Sequence, residues 1–168
     1  AKPTWNGQSI YYSKRANRPN KVGSKYYDIY AYNFESKKEF RITRNARGFS
    51  PVFSLSDSSL FYLSTKDGTQ NIFKINLKSK TTEKLTSYNN QEIISGLNYD
   101  VTKNRLIYDM TTHHFKDIHY LSLNDSTTGE LMANELWDER QADFTSNGMV
   151  YSDDRSGIFN LYYIDDNR

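Results

Sequence analysis

A pattern that returns four times at a nearly fixed period constrains this chain more than anything else in it. In residues 60–77, two runs rich in aromatic and branched side chains flank a polar segment carrying Asp67-Gly68. The second run places Ile72, Lys74 and Asn76 on one face and Phe73, Ile75 and Leu77 on the other. Successive strand side chains point to opposite faces and Asp-Gly supplies a positive-φ turn, so the stretch predicts a β-hairpin. Ten positions separate Tyr62 from Ile72, Tyr108 from Ile118 and Tyr151 from Leu161, whereas Tyr12 and Ile29 lie seventeen apart. Asp28, Asn71, Asp117 or Asn160 precedes the second anchor each time, at steps of 43, 46 and 43 residues.

Each hairpin has a further strand before it: Pro3-Thr4-Trp5, Pro51-Val52-Phe53, Leu97-Asn98-Tyr99 and Ala142-Asp143-Phe144. Turns at Asn6-Gly7, Asp57-Ser58-Ser59, Thr102-Lys103-Asn104 and Asn147-Gly148 lead onward. A last strand follows in the early copies, over 39–43 and 83–86, ending in Ile42-Thr43 and Leu85-Thr86. Four antiparallel strands in each ~40–50 residues is the period of a β-propeller blade. The expected fold is therefore all-β: a propeller segment of about four blades, each a four-stranded antiparallel sheet, with repeats near 3–43, 50–86, 94–136 and 140–168. The one stretch with weak helical periodicity, 129–137, also reads as an irregular outer strand. The chain enters on the first strand of copy one and stops after the third strand of copy four. The expectation is one partial propeller domain over 1–168, incomplete at both ends.

Hydrophobic residues make up only 36% of the chain and its mean hydropathy is −0.83, values that disordered chains share. An aromatic content of 15%, led by 14 tyrosines, points the other way, because disordered segments are poor in aromatics. Tyr11, Tyr12, Tyr62, Tyr108, Tyr151, Tyr162 and Tyr163 fall on strands and read as packing residues between blades. No stretch reaches the length of a transmembrane span. Zero cysteines exclude disulfides and thiolate metal sites, and a net charge of +2 gives no reason to expect a nucleic acid.

The segment Tyr151-Ser152-Asp153-Asp154-Arg155-Ser156-Gly157-Ile158-Phe159-Asn160-Leu161-Tyr162 closely resembles the TolB-type, WD-like propeller repeat. That repeat has an apolar strand, then Ser-Asp-Arg-x-Gly, then an Asp/Asn-Ile-Tyr strand. Phe49-Ser50-Pro51 resembles its opening motif and Asp28-Ile29-Tyr30 its later strand. The Pro-Asp-Gly turn of the family is replaced by Ser56-Asp57-Ser58 and Asn147-Gly148, and copy three carries His113-His114 where others have Asp-Gly or Ser-Gly. The resemblance implies an extracytoplasmic, periplasmic bacterial protein whose propeller binds protein partners of the cell envelope. Similar repeats also gate peptidases of the prolyl oligopeptidase type, and some propellers are glycan lyases.

In a blade, the loop joining the second and third strands shares a face with the link to the next blade. Loops on a rigid scaffold are where binding residues concentrate. That face collects the basic insertion 14–25, with Arg15 and Arg18; Lys66-Asp67; the linking residues Arg44, Arg47, Trp137 and Arg140; and His113, His114 and Arg155. These arginines, His113, His114 and Trp137 are the candidate binding residues. Replacing Arg44, Arg47 and Trp137 together is expected to weaken partner capture.

Chemistry is not indicated. His113 and His114 are adjacent and cannot converge from a strand on one centre, so no metal is expected. Asp153-Asp154 and Asp165-Asp166 face opposite ways as neighbours and make no acid–base couple; Asp153 reads as a turn acceptor. Asp67-Gly68-Thr69-Gln70-Asn71 lacks the distal glutamate of a calcium loop. Trp137-Asp138 falls between blades, away from the position of a WD dipeptide. With no nucleophile motif or phosphate-cradling loop, the expectation is a non-catalytic protein-binding or scaffolding module without cofactor. The alternative is the gating propeller of a larger prolyl oligopeptidase-like or zinc peptidase, or part of a glycan lyase.

Overall fold

The structure, a computed structural model, describes residues 2–15, 25–112, 114–134 and 136–165. Fifteen strands and no helix occur among them, in four sheets whose strands follow chain order and pair antiparallel. Sheet one holds β1 (Thr4–Trp5), β2 (Ser9–Arg15), β3 (Tyr27–Asn33) and β4 (Lys38–Arg41). Sheet two holds β5 (Gly48–Ser54), β6 (Ser59–Ser64), β7 (Asn71–Asn76) and β8 (Thr82–Lys84). Sheet three holds β9 (Ile93–Asp100), β10 (Arg105–Thr112), β11 (Phe115–Ser122) and β12 (Thr128–Met132). Among the described residues sheet four has three strands, β13 (Glu139–Thr145), β14 (Gly148–Asp153) and β15 (Asn160–Asp165). The ambiguous stretch 129–137 gives its first four residues to the outer strand β12. The chain divides into two compact units, Ala1–Gln91 and Glu92–Arg168, each carrying two of the sheets.

One cross-strand pair sets the register in every sheet. Tyr12 lies opposite Tyr30, Tyr62 opposite Phe73, Tyr108 opposite His119 and Tyr151 opposite Tyr162. Their ring centroids are 6.5, 5.8, 6.0 and 5.8 Å apart. Aromatic pairs directly across an antiparallel ladder add to burial, and a slip by one residue would turn each ring to the other face. The ten-residue spacing therefore carries the register.

A second recurring device closes the start of the third strand in the first three sheets. Asp28 accepts the Thr43 hydroxyl at 2.8 Å and the backbone N–H groups of Asn45 and Ala46 at 3.2 and 3.0 Å. Asn71 accepts the Thr86 hydroxyl at 2.9 Å and the Tyr88 N–H at 2.8 Å. Thr43 and Thr86 in turn accept the N–H of Ile29 and Ile72, both at 2.9 Å. In copy three Met132 stands in the threonine position and Asp117 keeps the bond to the linking backbone, from Asn134 N–H at 3.1 Å. In the first three sheets the Asp/Asn before the anchor is thus a clasp that fixes where the outer strand ends and the link begins, whereas Asn160 bonds to Ser156 and the Ile158 carbonyl within its own turn.

The inner strands β5, β9 and β13 each carry a register shift against their neighbour, and Ser50, Gly96 and Gln141 sit there at φ of 50°, 58° and 57°. Such bulges bend a strand and raise its twist. In unit 1 the core gathers Tyr11, Ile29, Leu60, Tyr62, Phe73 and Ile75, with Tyr11 stacked on Phe53 at 5.6 Å. In unit 2 it gathers Ile107, Ile118, Ala142, Met149 and Tyr151. Central strands are buried on both faces: every residue of β6 is buried, and so are both Ile72 and Phe73 of β7. The polar/apolar alternation expected of β7 holds at Lys74 and Asn76, both half-buried, and Lys74 pairs with Asp57 at 2.5 Å and lies over the Phe61 ring.

Candidate functional site

Hydrogen bonds within each unit bring the linking segments against the hairpin loops, as blade geometry requires. In unit 2, the Asp138 carboxylate accepts Lys116 N–H at 3.0 Å, and Asp138 N–H donates to Asp154 at 2.9 Å. The link before β13 therefore touches both the start of β11 and the β14–β15 connection. In unit 1 the Ser64 hydroxyl donates to the Ala46 carbonyl at 2.5 Å, which ties the link before β5 to the end of β6.

Unit 2 places Trp137 and Arg155 together through an aromatic contact, while Arg140 lies against Phe159 in a separate contact. The Arg155 guanidinium lies 4.2 Å from the Tyr162 ring centroid and 5.6 Å from that of Trp137, and the Arg140 guanidinium lies 3.3 Å from that of Phe159. Arg155 is held from below. Its Nε donates to both oxygens of Asp153 at 2.7 and 3.0 Å, and a terminal nitrogen donates to the Tyr151 hydroxyl at 2.7 Å. Asp153 is fully buried and also accepts Arg155 N–H at 3.1 Å, so the turn role expected of it is present together with an ion pair. These bonds hold the Arg155 guanidinium above its ordinary pKa.

Opposite Asp153 in the ladder stands Glu139, which sequence reasoning did not single out. Its Oε1 accepts the Trp137 indole N–H at 3.1 Å, and Oε2 has no hydrogen-bond partner among the described residues. Burial pushes its carboxyl up, opposed by the indole bond and by Arg155, and reinforced by Asp117 and Asp153. Trp137 is accordingly half-buried with its ring edge engaged, and only part of it faces solvent.

The other candidates are more dispersed. Arg15 is an exposed residue ending β2, opposite Tyr27. Arg44 and Arg47 are exposed on the link before β5, Arg47 at a φ of 48°. His114 is exposed in the turn between β10 and β11. Arg18 and His113 lie outside the described residues. Among the described residues, no group of three or more His, Asp or Glu is placed to hold a metal ion.

No family model and no curated protein matches the chain. Solved structures do. TolB from Acinetobacter baumannii superposes with a TM-score of 0.78 at 16% identity, over 99% of this chain and 41% of that one. The fold is that of a TolB-type β-propeller. The propeller domain of the trilobed protease from Pyrococcus furiosus follows with a TM-score of 0.72 at 12% identity, over 99% of this chain and 54% of that one. The acylaminoacyl peptidase of Pyrococcus horikoshii gives 0.70 at 11% identity, over 99% of this chain and 30% of that one. At these identities the likeness is one of fold, and this propeller segment spans about half or less of the length of each of these chains.

Proposed function

We propose that residues 1–168 are one partial domain of a larger extracytoplasmic propeller protein, and that the domain is a non-catalytic module that binds a protein partner. The observation that carries the binding reading is a pair of arginine–aromatic contacts in unit 2. Arg155 lies over Trp137 and Tyr162 beside loops pinned by Asp138, Asp153 and Asp154, and Arg140, near the start of β13, lies over Phe159, with Ile158 68% and Phe159 41% exposed. Trp, Tyr and Arg on a pre-organised surface are the composition of interface hot spots, because little side-chain entropy remains to be lost on docking. The likeness to TolB supports an envelope setting.

Exposure supports a further repeat. Leu161 is 79% exposed, whereas its counterparts Ile29 and Ile118 are fully buried. Ile118 packs with Ala142 on the following sheet, and a Cβ added at Gly48 would sit 3.4 Å from Ile29. A following blade would give Leu161 the same cover.

To test the surface, the chain and a Trp137→Ala/Arg140→Ala variant are immobilised and challenged with envelope extract. The expected result is a captured protein that the variant loses and a control at the exposed Lys78, Lys78→Ala, keeps, with circular dichroism unchanged. Equal capture by all three would remove this surface. The likeness to acylaminoacyl peptidase favours a second reading, a propeller that gates a peptidase. A nucleophile elbow or zinc-binding helix in the parent reading frame would establish that instead.

A further inference from the structure

Unit 1 contains a cleft of about 450 Å³ at the level of Thr43, between the link that precedes β5 and the sheet β6–β8. Its wall is apolar: Tyr62, Phe73 and Ile75 line it and are 2%, 9% and 4% exposed. Its rim is cationic, with Arg44, Lys66 and Lys80 joined by Arg41. Arg41 is neutralised by Asp28, and the neighbouring Lys84 by Asp67 at 2.9 Å. Arg44, Lys66 and Lys80 have no ion-pair partner among the described residues, and no carboxylate is among the lining residues.

We propose that this cleft binds a small amphipathic carboxylate, a molecule with an apolar chain or ring that ends in one acid group. The inference goes beyond the protein-binding surface above and uses none of its residues. Three features select that chemistry. The volume lies in the range of small-molecule sites, where apolar walls supply affinity and a few polar groups fix orientation. An arginine beside a lysine matches a carboxylate, which the guanidinium can hold through two parallel bonds. A compact anion alone would leave the Tyr62, Phe73 and Ile75 wall unused. A polyanion would meet a chain whose net charge is only +2. The apolar body therefore lies along Tyr62 and Phe73, and the acid group faces Arg44 and Lys66.

The test is a titration of the intact chain with 4-phenylbutanoate, read by heteronuclear NMR and calorimetry. Saturable shifts confined to Tyr62, Phe73, Ile75 and their neighbours are expected. The Arg44→Gln/Lys66→Gln variant, whose altered side chains are exposed, should bind about tenfold more weakly, and 4-phenylbutanol should bind about tenfold more weakly than the acid. Arg15→Gln should bind like the parent. No saturable shift at ~10 mM probe overturns the proposal, since that is weaker than a ~1 mM site. Equal affinity for the alcohol, or for the double variant, overturns it as well. Inorganic phosphate binding as tightly as 4-phenylbutanoate would overturn the role given to the apolar wall. The Trp137/Arg140 variant should bind the probe unchanged, so failure of this inference and failure of the protein-binding surface are distinguishable.

Discussion

At the scale of single residues, His119 is the position where this sequence departs most from its own repeat. It stands where the other copies carry Tyr30, Phe73 and Tyr162, stacked on Tyr108 as Tyr30 and Phe73 are stacked on their partners, with Tyr162 tilted against Tyr151. The ring is 5% exposed and its Nε2 has no hydrogen-bond partner among the described residues. An unmet buried polar atom costs about 1–3 kcal/mol. His119→Phe keeps the stack and removes that cost, so we expect a gain of about 1 kcal/mol and a melting temperature higher by a few degrees. The pH dependence has a definite sign. Burial lowers the pKa of His119, against the raising effects of Glu130 and Asp117. The unfolded chain then takes up a proton that the folded ring resists. Stability from this residue is present above the ordinary imidazole pKa of ~6.5 and is lost as pH falls through the window down to the folded value. The gain in His119→Phe should therefore widen below about pH 6.5, as melting curves across pH will register. A gain that is equal at pH 8 and pH 5 would assign the effect to packing alone. In the sequence His119 directly follows the strand anchor Ile118. Its place in the aromatic register becomes legible once the copies are aligned on Tyr12, Tyr62, Tyr108 and Tyr151.

At the scale of elements, the clasp at the start of the third strand explains why Asp or Asn recurs there. Sequence spacing showed the recurrence and the Ile42-Thr43 and Leu85-Thr86 endings, but it could not show that they meet. The bond spans fifteen residues and depends on where the outer strand stops. Thr86 is 6% exposed, donates to Asn71 and accepts from Ile72 N–H. Thr86→Val keeps the volume and leaves that N–H and one Asn71 lone pair unmet, at an expected cost of about 2 kcal/mol. Urea unfolding should show a lower midpoint with an unchanged slope, because the surface exposed on unfolding stays the same. Other parts of the site were beyond sequence reasoning for a similar reason. The Asx turn at Asp153 is local and was readable. Arg155 on Asp153 and Trp137 on Glu139 are contacts two residues apart, but the meeting of those two carboxylates across the ladder depends on the pairing of β13 with β14. The burial of Ile72 and Phe73 on opposite faces of β7 was hidden too, since alternation reports one covered face and central strands here have two.

At the scale of the whole chain, the exposed face of β15 decides how the protein behaves on its own. In β7 and β11 the positions equivalent to Leu161 and Ile164 are Ile72 and Ile75, and Ile118 and Leu121, none more than 4% exposed. In β15 Leu161 is 79% and Tyr163 52% exposed on one face, and Ile164 is 39% exposed on the other. β15 is also the last strand of its sheet among the described residues, so an apolar face and a strand edge coincide. Edges of this kind pair with other chains unless charge or cover prevents it. Sedimentation velocity should therefore show concentration-dependent association that persists at high salt, because screening weakens exposed charge pairs and leaves apolar burial intact. Leu161→Lys places a charge at the centre of that face and should shift the chain toward monomer with its β-rich circular dichroism unchanged. A parent chain extended by a further repeat should be monomeric without the substitution. Association that vanishes in salt would point instead to the cationic loops. A monomer at every concentration would mean that β15 tolerates water as it stands, and the case for a following blade built on Leu161 would fall with it.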